Sequence, residues 1–338
     1  MKIQLVHTFE DIINVDNLLA AWQEFVRGKR SKRDVQEFSL HLMDNIFELH
    51  AALADHTYRH GGYQAFSICD PKPRNIHKAT VRDRLLHHAV HRILYPFFDK
   101  IFIADSYSCR NGKGTHKALN RFRKFAYAIS KNNTGTCWVL KCDIKKFFAN
   151  IDHEILTSIV SEYIPDKNIL WLLNEIIYSF SSKPGSGLPL GNLTSQLLVN
   201  VYMSEFDQFA KHKLKAKYYI RYADDFVFFS ENRLWLEGLL PPLNNFLDRR
   251  LKLNLNPDKV FIKTLASGVD FLGWVHFPDH RVLRTSTKKR MMKRIQEKNS
   301  LATLNSYLGL LRHGNTHKIK EEVNNIGLAR LPYLYQAV

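Results

Sequence analysis

Residues 218–229 read YYIRYADDFVFF, in which two aspartates interrupt an otherwise apolar run. The aromatic and branched residues on both sides predict two strands that meet at a corner, Asp224–Asp225. Two carboxylates about 4 Å apart repel by ~1 kcal/mol in water and by several times more where water is excluded. A solvated acidic turn is one interpretation of this pair. The apolar flanks favour another, in which the corner emerges from a core sheet and cations balance its charge.

A third carboxylate ends a second apolar segment, VLKCDI, at residues 139–144. If this predicted strand lies beside the first hairpin, Asp143 and Asp224 can share two divalent ions. Two-metal sites hold their ions ~3.5–4 Å apart and stabilise the attacking and leaving oxygens of phosphoryl transfer. Mg²⁺ suits the role because it prefers carboxylate, water and phosphate oxygens. We therefore expect two Mg²⁺ ions, with Mn²⁺ as an alternative.

The composition indicates a polyanionic partner. The chain has 338 residues, with 49 basic and 32 acidic side chains and a net charge of +17. Each neutralised phosphate adds salt-dependent affinity, so nucleic acid is the leading candidate, and a generally basic soluble protein is the alternative. The four cysteines form no C-x-x-C pair, and neither a signal peptide nor an apolar run of 18 residues is evident. We expect a cytoplasmic protein without a membrane partner.

The hydrophobic pattern predicts mostly helices around a few strands. Residues 9–58 have helical periodicity, and residues 59–80 resemble two strands joined by a turn. Further helices are expected after Asn150 and over about 232–252, followed by a strand pair formed by VFIKT and FLGWVHF. From Arg281 onward the pattern predicts a helical and basic chain. There a solvated helix face and a phosphate-binding face are the two alternatives.

Five segments together resemble the motifs of a reverse transcriptase palm, in the same order. They are VLKCDIKKFF (139–148), GLPLGNLTSQ (187–196), YADD (222–225), LNLNPDKV (253–260) and FLGW (271–274). The resemblance runs from about residue 63 to residue 277. It implies an α+β right-hand polymerase with an antiparallel palm sheet packed on helices. The implied domains are an N-terminal helical extension (1–58), fingers and palm (59–282) and a short helical thumb (283–338).

The resemblance also implies catalytic roles. Asp143 and Asp224 match the metal-binding aspartates, and Asp225 matches the second aspartate of the corner, which supports the site. Ile144 would offer its main-chain carbonyl to a metal. Lys259 resembles the lysine that protonates the leaving pyrophosphate, and an ordinary surface lysine is the alternative.

Other positions match residues that hold the incoming dNTP. Phe148 matches the aromatic gate beneath the sugar, which argues for dNTP over NTP, with core packing as the alternative. Arg74 resembles the arginine that grips the triphosphate, with Lys72 as its companion. The remaining members of the expected nucleotide site come from the GLPLGNLTSQ segment: Leu190, Gly191 and Gln196.

Nucleic-acid contacts are implied at three places. The segment RNGKGTHKAL resembles a template-binding motif of the fingers, FLGW resembles the primer grip, and the basic C-terminal helix offers lysines and arginines to phosphates. The residues concerned are Arg110, Lys113, Lys117, Gly273, Trp274, Lys289, Lys293 and Arg294. A second basic feature, His87, His88 and His91, is interpreted as core or RNA-facing histidines rather than a metal site.

Two unusual residues narrow the subfamily. Most reverse transcriptases have glutamine where this chain has Leu190, and proline where it has Gln196. The pattern LGNLTSQ is similar to that of reverse transcriptases from diversity-generating retroelements. This implies copying of a template-repeat RNA into cDNA with errors opposite adenine, beside a small basic pentameric accessory protein. The alternatives are a group II-like or phage-defence reverse transcriptase of ordinary fidelity, and a catalytically silent RNA-binding scaffold.

Overall fold

The N-terminal part of the chain forms four helices. A computed structural model describes residues 2–68, 73–298 and 300–328. The helices are α1 (Phe9–Ile13), α2 (Val15–Phe25), α3 (Arg33–Leu40) and α4 (Leu42–Ala54). In α2 the buried residues Leu18, Ala21, Trp22 and Phe25 recur in steps of three and four, and the Asn14 side chain caps the first turn by accepting from Asn17 N. The helical expectation for residues 9–58 is thus confirmed.

A two-stranded antiparallel hairpin follows. Strands β1 (Tyr63–Ile68) and β2 (Arg74–Ala79) pair from Tyr63 opposite Ala79 to Ile68 opposite Arg74, as predicted. The long helix α5 (Val81–Ile101) begins directly afterwards, because the Thr80 side chain accepts from Asp83 N and caps it. Helix α5 packs against α2 and therefore joins the N-terminal helices to the centre of the molecule.

A four-stranded antiparallel sheet lies at the centre. Its strands are β3 (Trp138–Asp143), β4 (Tyr219–Tyr222), β5 (Asp225–Ser230) and β6 (Phe261–Thr264), in the order β4-β5-β3-β6. Side chains alternate between its faces. Leu140, Phe226 and Phe228 join a first core with the N-terminal helices, whereas Val139, Val227 and Phe229 join a second. The surrounding helices are α6 (Thr115–Ile129), α7 (His153–Ser161), α8 (Lys167–Ile177), α9 (Leu193–Gln208) and α10 (Arg233–Leu251).

The strand pair predicted for VFIKT and FLGWVHF is wrong. Strand β6 pairs with β3 instead, while the second segment forms the hairpin of a separate sheet, β7 (Val269–Phe271), β8 (Trp274–His276) and β9 (Arg281–Leu283). The two segments do not pair because the connection between β6 and β7 changes the direction of the chain. A 3₁₀ turn, Leu265–Ser267, is followed by Gly268 at φ 83°, and the chain leaves the central sheet there.

Three helices complete the described chain and close the second core. They are α11 (Thr285–Glu297), α12 (Leu301–Leu311) and α13 (His317–Leu328). They begin at Thr285 and not at Arg281 as predicted, because Arg281–Leu283 pair with β8 as a strand. Met291, Ile295 and Leu311 pack with Phe122 of α6 and Trp274 of β8. The second core therefore spans α6, one face of the central sheet, the small sheet and the C-terminal helices. None of the helices in the described ranges is both long and apolar enough to cross a membrane.

Candidate active site

The three predicted carboxylates meet at one end of the central sheet. Asp143 ends β3 and lies directly opposite Asp225, the first residue of β5. Tyr222 pairs with Asp225, so Ala223 and Asp224 form a two-residue corner. Ala223 has φ 54°, a left-handed conformation that is costly for a residue with a Cβ atom. The corner is tied to β3, since Ile144 N donates to Asp224 O at 3.2 Å.

A buried arginine supports this corner from below. Arg221 is completely buried and forms an ion pair with Asp207 of α9, with Nη2 2.7 Å from Oδ2. Its Nη1 donates to Ala223 O at 3.3 Å and to Asn200 Oδ1 at 3.2 Å. Arg221 was not predicted as a site residue from the sequence. The sequence does contain a sign of its role. Arg221 is a charged residue at an inward-facing position of an apolar strand, and a buried charge requires a partner.

Two lysines supply positive charge to the carboxylates. Lys259 Nζ lies 2.5 Å from Asp143 Oδ1, and Lys141 Nζ lies 3.4 Å from Asp225 Oδ1. Lys259 reaches the site because its segment docks along the end of β3, where Asn256 N donates to Asp143 O at 2.8 Å. Lys141 was also missed by the sequence analysis. It lies two residues before Asp143, and strand periodicity places both side chains on one face.

Burial and mutual repulsion make ionisation of the corner costly. Burial, together with the charges of Asp225 and Asp143, raises the pKa of Asp224 to about 6. Burial also raises the pKa of Asp225, an effect that Lys141 partly offsets. The cluster therefore holds more negative charge than its surroundings stabilise, which is the electrostatic condition for binding a cation.

The donor set fits Mg²⁺ that is shared with a substrate. Within the described ranges, no three His, Cys, Asp or Glu side chains already surround one point as metal ligands. Mg²⁺ does not need such a cage, because it commonly binds one or two carboxylates, waters and substrate phosphates. Among the described residues, buried Asp225 Oδ1 accepts no hydrogen bond and has only the ion-pair contact with Lys141 Nζ at 3.4 Å, so this carboxylate oxygen can still bind a cation.

Phe147 and Phe148, which follow Asp143 in the chain, differ in burial. Phe147 is buried at 4% exposure, whereas Phe148 is half-buried. The main chain of Phe148 is fixed, because its carbonyl accepts from Leu188 N at 2.9 Å. The aromatic gate expected at Phe148 is therefore held against the GLPLGNLTSQ segment.

The GLPLGNLTSQ segment connects this site to the β1–β2 hairpin. Leu190 O accepts from His77 N of β2 at 3.2 Å. Gly191 has φ 111°, and a Cβ atom there would lie 3.0 Å from Ile76 Cγ2. Gly187 has φ 112°, and its Cβ would lie 2.5 Å from Ser182 Oγ. In this structure both glycines permit close approach within the protein itself.

The other expected nucleotide-binding residues surround this connection. Leu190 and Gln196 are half-buried, and Gln196 lies in the first turn of α9. Arg74 is exposed at the start of β2, with no carboxylate at ion-pair distance among the described residues. Lys72 lies outside the described residues.

The predicted template-binding residues are largely engaged inside the protein. Arg110 forms an ion pair with Asp99, at 2.6 Å, and also donates to the carbonyls of Asp99, Ile103 and Ser106. Lys113 Nζ donates to Ala104 O at 2.7 Å, and Lys117 Nζ donates to Gly112 O. The guanidinium of Arg110 thus stabilises its own loop and is only 5% exposed.

The primer-grip residues also differ in exposure. Leu272 and Gly273 form the two-residue turn between β7 and β8, both at positive φ. The ring of Trp274 is buried in the second core at 1% exposure, so only the turn's backbone can meet a ligand without rearrangement. On α11, Lys289 and Lys293 are exposed, and Arg294 is half-buried.

The three neighbouring histidines of α5 pack on aromatic rings. His87 stacks on His60 with ring centroids 5.3 Å apart, and His91 stacks on Tyr95 at 4.8 Å. His88 meets Phe25 of α2 edge-on. Burial lowers the pKa of His87 to about 3 and those of His88 and His91 to about 4. His87 is thus a core residue, one of the two positions expected, whereas His88 and His91 are half-buried.

Comparison with known proteins gives consistent similarities. The family described as reverse transcriptase (RNA-dependent DNA polymerase) matches residues 64–276. Protein YkfC of Escherichia coli (strain K12) is 26% identical over 277 residues, 69% of this chain and 71% of YkfC. The group II intron-encoded protein LtrA of Lactococcus lactis subsp. cremoris is 26% identical over 297 residues, 66% of this chain and 47% of LtrA. This chain therefore spans about half the length of LtrA.

A solved structure is similar in fold. Apo telomerase from Candida tropicalis, truncated from its C-terminal domain, superposes with a TM-score of 0.50 and 13% identity, covering 72% of this chain and 60% of that one. Identity this low is evidence for the fold alone. The α+β right-hand polymerase fold predicted from the sequence is confirmed.

Proposed function

This chain belongs to the reverse transcriptase family, and from that premise we propose that it copies a retroelement template-repeat RNA into cDNA by metal-dependent phosphoryl transfer. The observation that carries the catalytic part is the meeting of Asp143, Asp224 and Asp225 with Lys259 at one end of the sheet. A silent scaffold would have no need for three repelling carboxylates on a strained corner.

The residues of the site have separable roles in this proposal. Asp143, Asp224 and the main chain of Ile144 would hold two Mg²⁺ ions, with Asp225 supporting them. When bound, the ions would activate the attacking oxygen and stabilise the leaving one. Lys259 donates a proton toward the leaving pyrophosphate, and its contact with Asp143 keeps it within reach. Arg74 binds the triphosphate, and Phe148 excludes a ribose 2′-hydroxyl.

Loss of one carboxylate tests the catalytic proposal. We expect Asp224→Asn to lower primer extension on an RNA template by roughly 100-fold or more, since preorganised electrostatic groups contribute on that scale. Asp258→Asn is the matched control, because Asp258 is exposed and lies next to Lys259. Extension that survives Asp224→Asn would contradict the assignment of the metal site.

Error-prone copying is the narrower part of the proposal, and it rests on the side chain of Leu190. A glutamine amide at this position can hydrogen-bond near the incoming sugar and base pair, whereas leucine cannot. A net hydrogen bond is worth about 1 kcal/mol, which corresponds to roughly fivefold discrimination between correct and incorrect nucleotides. The backbone at Leu190 is fixed by His77, so a substitution there changes the side chain more than the chain path.

We accordingly expect Leu190→Gln to reduce misincorporation opposite template adenine by about fivefold. Sequencing of cDNA made on one defined RNA measures the error spectrum. Leu190→Met is the control, since it conserves volume and adds no amide. Equal spectra for the wild type and Leu190→Gln would exclude this origin of the errors.

The partners remain part of the proposal. Template RNA, a cDNA or primer end and dNTPs follow from the proposed reaction. The small basic pentameric accessory protein rests on the sequence resemblance. The cytoplasmic location rests on the sequence, in which neither a signal peptide nor an apolar run of 18 residues is evident. A group II-like enzyme of ordinary fidelity is the second candidate, favoured by the similarity to LtrA. An error rate near that of ordinary polymerases, with no excess of errors opposite template adenine, would select it.

A further inference from the structure

A pocket lies away from the carboxylates, between three elements of the second core. Its volume is about 360 Å³, and it is bounded by α6, the β8–β9 connection and the loop between α12 and α13. Its lining includes Arg123, His276, Phe277, His280, Arg281 and Arg312. Sites for small ligands typically occupy ~300–1,000 Å³, so the volume suits a nucleotide better than a bare ion.

The pocket is held in shape by its own hydrogen bonds. Arg281 joins all three elements, because Nη2 donates to Asn120 Oδ1 of α6 at 3.2 Å and Nε donates to His313 O. Asn315 N donates back to Arg281 O at 2.8 Å. Gly314 lies so close to Trp274 that a Cβ atom would be 2.1 Å from Cζ3. A preorganised site of this kind loses little entropy when a ligand binds.

The charge of the pocket is not balanced within the described chain. Arg123, Arg281 and Arg312 have no carboxylate within ion-pair distance among the described residues. Asp279 is the one acidic residue of the lining, and its Oδ1 already accepts from Asn133 Nδ2 at 3.0 Å. Burial and the neighbouring Arg123 lower the pKa of Arg281, as expected where cations gather without an anion.

Two polar atoms at the base of the pocket have no partner, and a stacked pair forms part of its wall. Arg281 Nη1 and His276 Nε2 are buried without hydrogen bonds among the described residues. The rings of Phe277 and His280 lie nearly parallel, with centroids 5.0 Å apart and planes at 15°. Aromatic faces bind nucleobases of any sequence by stacking, and guanidinium groups bind phosphate oxygens.

We propose that this pocket binds one phosphorylated nucleotide unit, with its phosphate against Arg123, Arg281 and Arg312 and its base on the Phe277–His280 pair. The unit can belong to a single-stranded nucleic-acid chain or be a free nucleotide. Helix α6 connects the pocket to the active site, because Thr115 Oγ1 donates to Tyr222 Oη at 3.1 Å. Arg123 lies eight residues further along α6, about 12 Å at 1.5 Å per residue.

The experiment compares two double variants of the full chain. Arg123→Gln/Arg312→Gln removes two exposed cations of the pocket, and Lys124→Gln/Lys318→Gln removes two exposed cations outside its lining. Both lower the net charge equally. Binding of a short fluorescent single-stranded RNA is measured in EDTA over a salt series. The thermal unfolding midpoint of each variant confirms that it is folded.

We expect the pocket variant to bind the RNA roughly tenfold more weakly than the control, since charge-assisted hydrogen bonds are worth about that much. The slope of log affinity against log salt should fall by about 0.7 for a lost phosphate contact. A second arm measures AMP binding by calorimetry. AMP binding that the pocket variant loses assigns the site to a free nucleotide, and an RNA effect without AMP binding assigns it to a chain.

Identical behaviour of the pocket and control variants with both probes would overturn the proposal. Because binding is measured in EDTA, the result is independent of polymerase activity. Loss of primer extension in Asp224→Asn and loss of binding in the pocket variant therefore test separate statements.

Discussion

Phe147 and Phe148 are chemically identical neighbours whose surroundings assign them different roles. Phe147 is buried in the first core, whereas Phe148 packs against that core and is only half-buried. We expect Phe148→Ala to admit ribonucleotides, because a small side chain leaves room for a 2′-hydroxyl. The incorporation ratio of rNTP to dNTP in primer extension measures this.

Phe147→Ala provides the contrast. It should cost ~3–5 kcal/mol of unfolding free energy through the cavity that it leaves in the core. It should not admit ribonucleotides selectively. An unchanged ratio of rNTP to dNTP incorporation in Phe148→Ala, or an equal rise in Phe147→Ala, would contradict the assignment of Phe148 as the steric gate.

Some residues of the site could be predicted from the sequence and others could not. Asp143, Asp224 and Asp225 could be paired from two apolar segments, because strand ends and a corner have local signals. The contact of Lys259 with Asp143 could be expected only from resemblance, since 116 residues separate the two. Lys141 and Arg221 were missed because a cation inside an apolar strand has no local partner in the sequence.

At the scale of elements, the segment before α9 depends on glycine for its path. Gly187 has φ 112° and a neighbour 2.5 Å from its missing Cβ, whereas Gly185 has φ 70° and nothing within 4 Å. We expect Gly185→Ala to cost ~1–2 kcal/mol for the left-handed conformation alone. Gly187→Ala should cost a further ~1–3 kcal/mol, because Ser182 must move.

Urea unfolding of the two variants measures this difference. Gly187→Ala should also slow primer extension, since Leu188 N, in the next residue, holds the Phe148 carbonyl. Equal stability of the two variants would show that the segment adapts without cost and does not depend on the glycine at 187.

The pairing of strands is a second feature that the sequence did not predict. The existence of β6 and of the β7–β8 hairpin was evident from their apolar residues, but not their partners. Strand β6 joins β3, about 120 residues earlier in the chain, because its apolar side chains complete the central sheet there. The apolar pattern of a short segment predicts that it forms a strand. Which strand it pairs with depends on which sheet edge is available to it in the folded chain.

At the scale of the whole molecule, buried histidines predict a loss of stability in acid. His276 is 3% exposed, and burial lowers its pKa from 6.5 to about 3. It therefore stays neutral in the folded chain and takes up a proton on unfolding once the pH falls below 6.5. Stability is fully present above pH 6.5 and declines as the pH falls toward 3.

His276 alone should lower the unfolding free energy by ~2 kcal/mol between pH 7 and pH 5. His276→Gln should remove that part of the decline. His280→Gln is the matched control, since His280 is exposed and follows β8 in the same connection. Parallel pH profiles for the wild type and His276→Gln, measured by urea unfolding, would contradict this account.

The helices and strands, the three carboxylates and the family could be predicted from the amino-acid sequence, because they depend on short apolar patterns and on motifs a few residues long. Tertiary packing sets what surrounds the carboxylates. It placed Lys259 and Lys141 on the carboxylates, buried Arg110 and Trp274, and built a cationic pocket from α6, β9 and the loop after α12. The physical reason is that charge balance and burial depend on distances between residues far apart in the chain, which no local pattern records.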